Sequence, residues 1–74
     1  MRTPTEKDIE RLRRMYPVGS RVELLHMDDP AAPPVGTQGT VLGVDALADL
    51  MVAWDNGSSL NIVFEVDECR KISD

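Results

Sequence analysis

Apolar positions along the chain change their period once, near residue 20. Before that point Ile9, Leu12 and Tyr16 recur at three- and four-residue spacing, the narrow stripe that a helix buries. After it the period is two: Val22 and Leu24 alternate with Arg21 and Glu23, and Val52 and Trp54 alternate with Met51 and Ala53. The pattern predicts a helix over 3–16 followed by short strands. Thr3-Pro4-Thr5-Glu6 reads as a capping box, with Thr3 at the N-cap, Pro4 at the first helical position and Glu6 reaching back. Acids in the first turns and arginines in the last suit the helix dipole. Pro17 then stops the helix and Gly19 turns the chain.

Strands are predicted over 21–27, 37–44, 50–54 and 59–64, with a closing strand at 70–72. Asp55-Asn56-Gly57 between two β-prone runs predicts a tight hairpin whose central residues, Asn56 and Gly57, both take positive φ. Residues 28–34 contain three prolines and cannot extend the first strand, because proline donates nothing to a ladder. Glu65 to Cys69 suits a single helical turn. Five short strands, a long loop after the first, a tight hairpin between the third and fourth, and one turn before the last describe an SH3-like antiparallel barrel. The chain therefore reads as one mainly β domain over 1–74, with a helix at 3–16 and a five-stranded barrel over 20–73. Ile9, Leu12 and Tyr16 would cover the open end of the barrel.

At 74 residues, only about 60% of the unfolded chain's surface becomes buried, so any core is small. One cysteine, Cys69, allows no internal disulfide and suits a reducing cytoplasm. No secretion-type leader is read at the start, and no run approaches the roughly 18 apolar residues of a membrane span. A cytoplasmic protein is expected.

The net charge of -5 is unevenly shared. Residues 1–21 hold six bases (Arg2, Lys7, Arg11, Arg13, Arg14, Arg21) and three acids, giving +3; residues 22–74 hold Arg70 and Lys71 against ten acids, giving -8. An acidic sheet repels phosphates unless its bases gather on one face, which disfavours nucleic acid.

Candidate chemistry is sparse. Cys69 and His26 are the one nucleophile–base pair, yet neither lies in a catalytic motif, and a buried cysteine with a surface histidine is the simpler reading. Asp28-Asp29 and Asp67-Glu68 lack the alternating ligands and central glycine of a calcium loop, so they read as turn-forming acids. No metal, cofactor or catalytic residue is expected. Pro30-Ala31-Ala32-Pro33 has the minimal polyproline-ligand spacing, though within a small domain it more simply stiffens a loop. Trp54 shares a face with Val52 and is expected half-buried; an exposed Trp54 would be a binding anchor. Asp28, Asp29, Pro30, Pro33 and Pro34 in the loop, with Trp54, Asp55 and Asn56 at the hairpin, are the candidate partner-binding residues.

Two resemblances follow from motifs in the chain. Gly36-x-x-Gly39-x-Val41 resembles the glycine pattern of KOW-type SH3-like barrels, which implies nucleic-acid binding. Met27-Asp28-Asp29-Pro30, Pro33-Pro34-Val35-Gly36-Thr37 and Val52-x-Trp54-Asp55-Asn56-Gly57-Ser58-Ser59-Leu60 together resemble domain-of-unknown-function family forty-three fourteen. That resemblance covers nearly the whole chain and implies a bacterial mobile-element or phage context, with no known activity to carry over.

Three functions stand open at this point. The first is a non-catalytic module that binds a protein partner through sheet edges and the proline loop. The second is nucleic-acid binding through the basic helix and Arg70-Lys71. The third is an acidic nucleic-acid mimic that blocks a host defence enzyme.

Overall fold

A computed structural model describes residues 3–73; residues 1, 2 and 74, including the Arg2 and Asp74 counted above, lie outside it. One helix, α1 (Glu6–Met15), precedes four strands: β1 (Arg21–His26), β2 (Gln38–Val44), β3 (Leu50–Trp54) and β4 (Glu68–Ser73). They form one antiparallel sheet in the order β3-β2-β1-β4. Among the described residues β3 and β4 do not pair, so the sheet is open. No helix among the described residues is long and apolar enough to cross a membrane.

The helix begins two residues later than expected. Thr5, not Thr3, is the N-cap: its hydroxyl accepts from the Asp8 N–H at 3.2 Å, and Asp8 accepts from the Thr5 N–H at 2.8 Å. The chain offers two overlapping Thr-x-x-acid boxes. The second is reinforced by Arg11, whose guanidinium donates to Asp8 at 3.0 Å. At the far end the Tyr16 N–H bonds the Leu12 carbonyl, and Gly19 turns at φ 94°.

The period-two pattern names most of the core. Val22, Leu24, Val41, Val44, Leu50, Val52, Trp54 and Ile62 form one buried cluster. Ile9, Leu12 and Tyr16 pack against it together with Met27 and Cys69, so the helix stripe does cover one face. Gly39 is buried for a steric reason: a Cβ there would stand 2.6 Å from Val52 Cγ1 and 3.0 Å from the Ala53 carbonyl.

Three expectations are corrected around the hairpin. Gly57 takes φ 93°, but Asn56 does not have positive φ. The Gly57 N–H reaches the Trp54 carbonyl and the Trp54 N–H reaches Ser58, which is a three-residue turn ending in a glycine bulge. The expected strand over 59–64 is reduced to one bridge, Leu50↔Ile62. Its middle is diverted because the Leu60 carbonyl accepts the Trp54 indole Nε1 at 2.7 Å. The expected helical turn at 65–69 is displaced to 63–67, closed by the Val66 and Asp67 N–H groups on the Val63 carbonyl. Glu68 and Cys69 belong instead to β4.

Candidate binding groove

An open cavity of about 340 Å³ lies where α1, the 45–49 connection and the 62–69 segment meet. Leu12 and Tyr16 of α1 form one wall, Ala48 and Leu50 another, and Ile62, Val63 and Phe64 a third. Leu25 of β1 and Cys69 of β4 complete the apolar lining. Leu25 and Val63 are 40% and 39% exposed, so apolar surface stands open at the mouth.

Carboxylates fold the rim. Asp67 is buried, and its two oxygens accept separately from the N–H of Asp28 and of Val63, each at 2.9 Å. One side chain thus ties the start of the proline loop to the 63–67 turn. Asp45 accepts from the N–H groups of Leu47 and Asp49, and Asp49 accepts from Phe64 N–H at 3.2 Å. Ala48 (φ 62°) and Glu65 (φ 60°) are the two non-glycine residues with positive φ among the described residues, and both line this groove.

Inside the groove Tyr16 of α1 and Cys69 of β4 stand together, both packed against the core cluster. Burial pushes the Cys69 thiol up to about 11, and the neighbouring Tyr16 hydroxyl offsets this only in part. Tyr16 is itself raised, first by burial and then by the adjacent thiolate charge. Such a thiol is protonated at neutral pH and is a poor nucleophile. His26 cannot activate it. A register shift between Leu24 and His26 sets Cys69 opposite Leu24 but His26 opposite Glu68, and His26 does not line the groove that Cys69 lines.

The sequence-predicted partner residues do not converge. Asp28, Asp29, Pro30 and Pro34 are exposed, whereas Pro33 is buried. Asp29 is used locally, accepting from the Ala31 N–H at 2.7 Å. Trp54 is 3% exposed, so it is a core residue and presents no anchor. Asp55 pairs with Arg21, whose hydrogen bond holds that carboxyl below its ordinary value. The Asn56 side chain accepts from the Ser58 N–H. Among the described residues no group of three His, Cys, Asp or Glu side chains gathers as a metal site needs.

Several helix and strand arginines are also committed: Arg11 to Asp8, Arg13 to the Val44 carbonyl and Arg70 to Glu23. A second cavity of about 470 Å³ lies beyond Tyr16, between Val18, Gly43 and Met51. The residues that sequence reasoning missed are Leu25, Val63 and Phe64. Leu25 did carry a signal, since an apolar side chain follows Leu24 at a position where alternation calls for a polar one.

Fold and groove define a small helix-capped, open antiparallel sheet domain with an apolar surface cleft. The chain belongs to the family described as Domain of unknown function (DUF4314), whose model matches residues 5–72. No curated protein and no solved structure gives a significant match.

Proposed function

We propose that this chain is a non-catalytic interaction module that binds a protein partner. The observation that carries the reading is the solvent-open apolar groove under α1, with Leu25 and Val63 exposed at its mouth. Exposed apolar concavities of this kind are association surfaces in small domains. The protonated Cys69 and the separation of His26 from it support association over covalent chemistry. The reading includes an SH3-like barrel arrangement: sheet order β3-β2-β1-β4, the long loop after β1 and the turn before β4 all support it, and Ile62 bridges Leu50 where a fifth strand would run. A cytoplasmic setting on a bacterial mobile element belongs to the same proposal. The commitment of Arg11, Arg13, Arg21 and Arg70 within the fold weighs against a phosphate-binding face.

The test is nuclease-treated affinity capture from a bacterial lysate, comparing the wild type with a folded Val63→Lys variant. Proteins retained by the wild type and lost by the variant support the reading. Retention of nucleic acid before nuclease treatment, with no protein dependent on Val63, would overturn it in favour of nucleic-acid binding. Capture of a nucleic-acid enzyme that is insensitive to Val63→Lys would favour the acidic mimic.

A further inference from the structure

We propose that α1 is a detachable cap: it leaves the sheet as one unit, pivoting at Tyr16, while the four strands stay folded. This goes beyond the binding reading, because it concerns how much of the apolar sheet is open to solvent and not what occupies it. Three observations lead to it.

The helix is attached by little. The core residues lie in the strands, at Ala48 and at Ile62, and none comes from α1. Ile9, Leu12 and Tyr16 pack on that core but are only half-buried. Asp8 is the one buried residue of α1, and it bonds Thr5 and Arg11, which belong to the helix and its cap. Across to the sheet, the exposed Arg13 donates to the Val44 carbonyl at 3.2 Å. A helix of 10 residues is too short to persist alone in water, so an undocked α1 melts.

Open space flanks the helix on both sides. Leu12 lines the groove of about 340 Å³, Arg13 lines the cavity of about 470 Å³, and Tyr16 lines both. Interdigitated side chains hold packed elements together, and a helix bordered by voids forgoes part of those contacts. With α1 away, the two cavities join into one cleft across Val44, Leu50 and Ile62.

The third observation is a fixed point for the swing. The Ser20 N–H and hydroxyl both donate to the Pro17 carbonyl, at 3.0 and 2.6 Å, and Ser20 is buried. The Gly19 N–H donates to the Val41 carbonyl and the Val41 N–H to the Ser20 carbonyl, each at 2.9 Å. The chain from Pro17 onward is therefore clamped to β2. Tyr16, at φ -128° and ψ 71°, has already left the helical region, as a residue before proline is pushed to do. Motion starts there.

Native-state hydrogen exchange on the full chain, followed by amide NMR in low urea, reads the opening. The helix amides of Glu10 to Met15 should exchange as one group, at least about tenfold faster than the bonded amides of Leu24 and Val41 after correction for intrinsic rates. Arg13→Met keeps the helix propensity and removes the donor to Val44. It should speed the helix group by about threefold and leave Leu24 and Val41 unchanged. Ellman labelling of Cys69, which packs with Leu12 and Tyr16, should quicken in Arg13→Met by the same factor. Helix amides as protected as Leu24 and Val41 would overturn the inference, as would sheet amides that quicken together with them in Arg13→Met, because helix and sheet then open in one global step. Protection that declines residue by residue toward Met15 would overturn it too, since that is end fraying. None of these readouts involves a partner, so the binding reading stands or falls separately on the lysate capture.

Discussion

The Trp54 indole Nε1 donates to the Leu60 carbonyl at 2.7 Å, and that bond explains why the sheet has four strands. Leu50 exchanges backbone bonds with Ile62, and the Trp54 N–H reaches Ser58. The same register sets Val52 opposite Leu60, yet no backbone bond joins them. The acceptor that a further strand would offer is taken by a side chain.

Trp54→Phe removes this donor and keeps an aromatic ring in the core. It should cost about 1–2 kcal/mol in urea unfolding, from the lost bond and the smaller ring. The freed Leu60 carbonyl then becomes available to Val52, so the Val52 amide should exchange more slowly than in the wild type relative to global stability. A Val52 amide no better protected would show that the loop, not the indole, bars the strand.

Two glycines fail for different reasons, and substitution separates them. Gly57 has open space around it, so Gly57→Val should cost more than about 1 kcal/mol purely through the strain of φ 93° on a β-branched residue. Gly39 is sterically enclosed by Val52, Trp54 and the Ala53 carbonyl. Gly39→Ala should therefore lower the melting temperature further than Gly57→Ala, although the same single methyl is added in both.

Much of this architecture was legible because alternation reports burial directly. Val22, Leu24, Val52 and Trp54 stand where period two puts them, and β3 begins and ends at the expected residues. What escaped was every feature decided by a side chain competing with the backbone. The choice between Thr3 and Thr5 turned on Arg11 reaching Asp8, and the loss of the strand at 59–64 on the Trp54 indole. The groove escaped because it is assembled from segments far apart in the chain, none of which carries a motif. Thr5→Ala should cost about 1 kcal/mol and Thr3→Ala less than about half of that, read by chemical denaturation. The reverse order would return the cap to Thr3.

The sequence presents Asp67 as one of a pair of turn acids, and in the structure it is a buried staple between Asp28 and Val63. Asp67→Asn retains the size but replaces one acceptor oxygen by an amino group. One of two N–H groups then faces a donor, so the variant should lose about 1–3 kcal/mol. Leu25→Lys, at the same groove but without a hydrogen-bonding role, should stay within about 0.5 kcal/mol. Equal effects of the two would mean that Asp67 contributes only to the rim's charge.

Cys69 gives the fold an alkaline limit. Its thiol, ordinarily at 9.0, is pushed up to about 11 by burial beneath α1. The folded state therefore holds this proton more tightly than the unfolded chain does. Its contribution is complete below about pH 9 and is lost as pH rises through about 11. Tyr16 is raised as well and adds in the same direction at the upper end of that window. Urea unfolding at pH 8 and at pH 10.5 should show the wild type losing more stability than Cys69→Ala, since the variant has no thiolate to expose. Ellman's reagent should correspondingly react slowly with the native protein at pH 7.5 and rapidly once urea unfolds it. Equal pH slopes in the two proteins, with fast native labelling, would place the thiol in solvent and open the wall of the groove that Tyr16 and Cys69 form together.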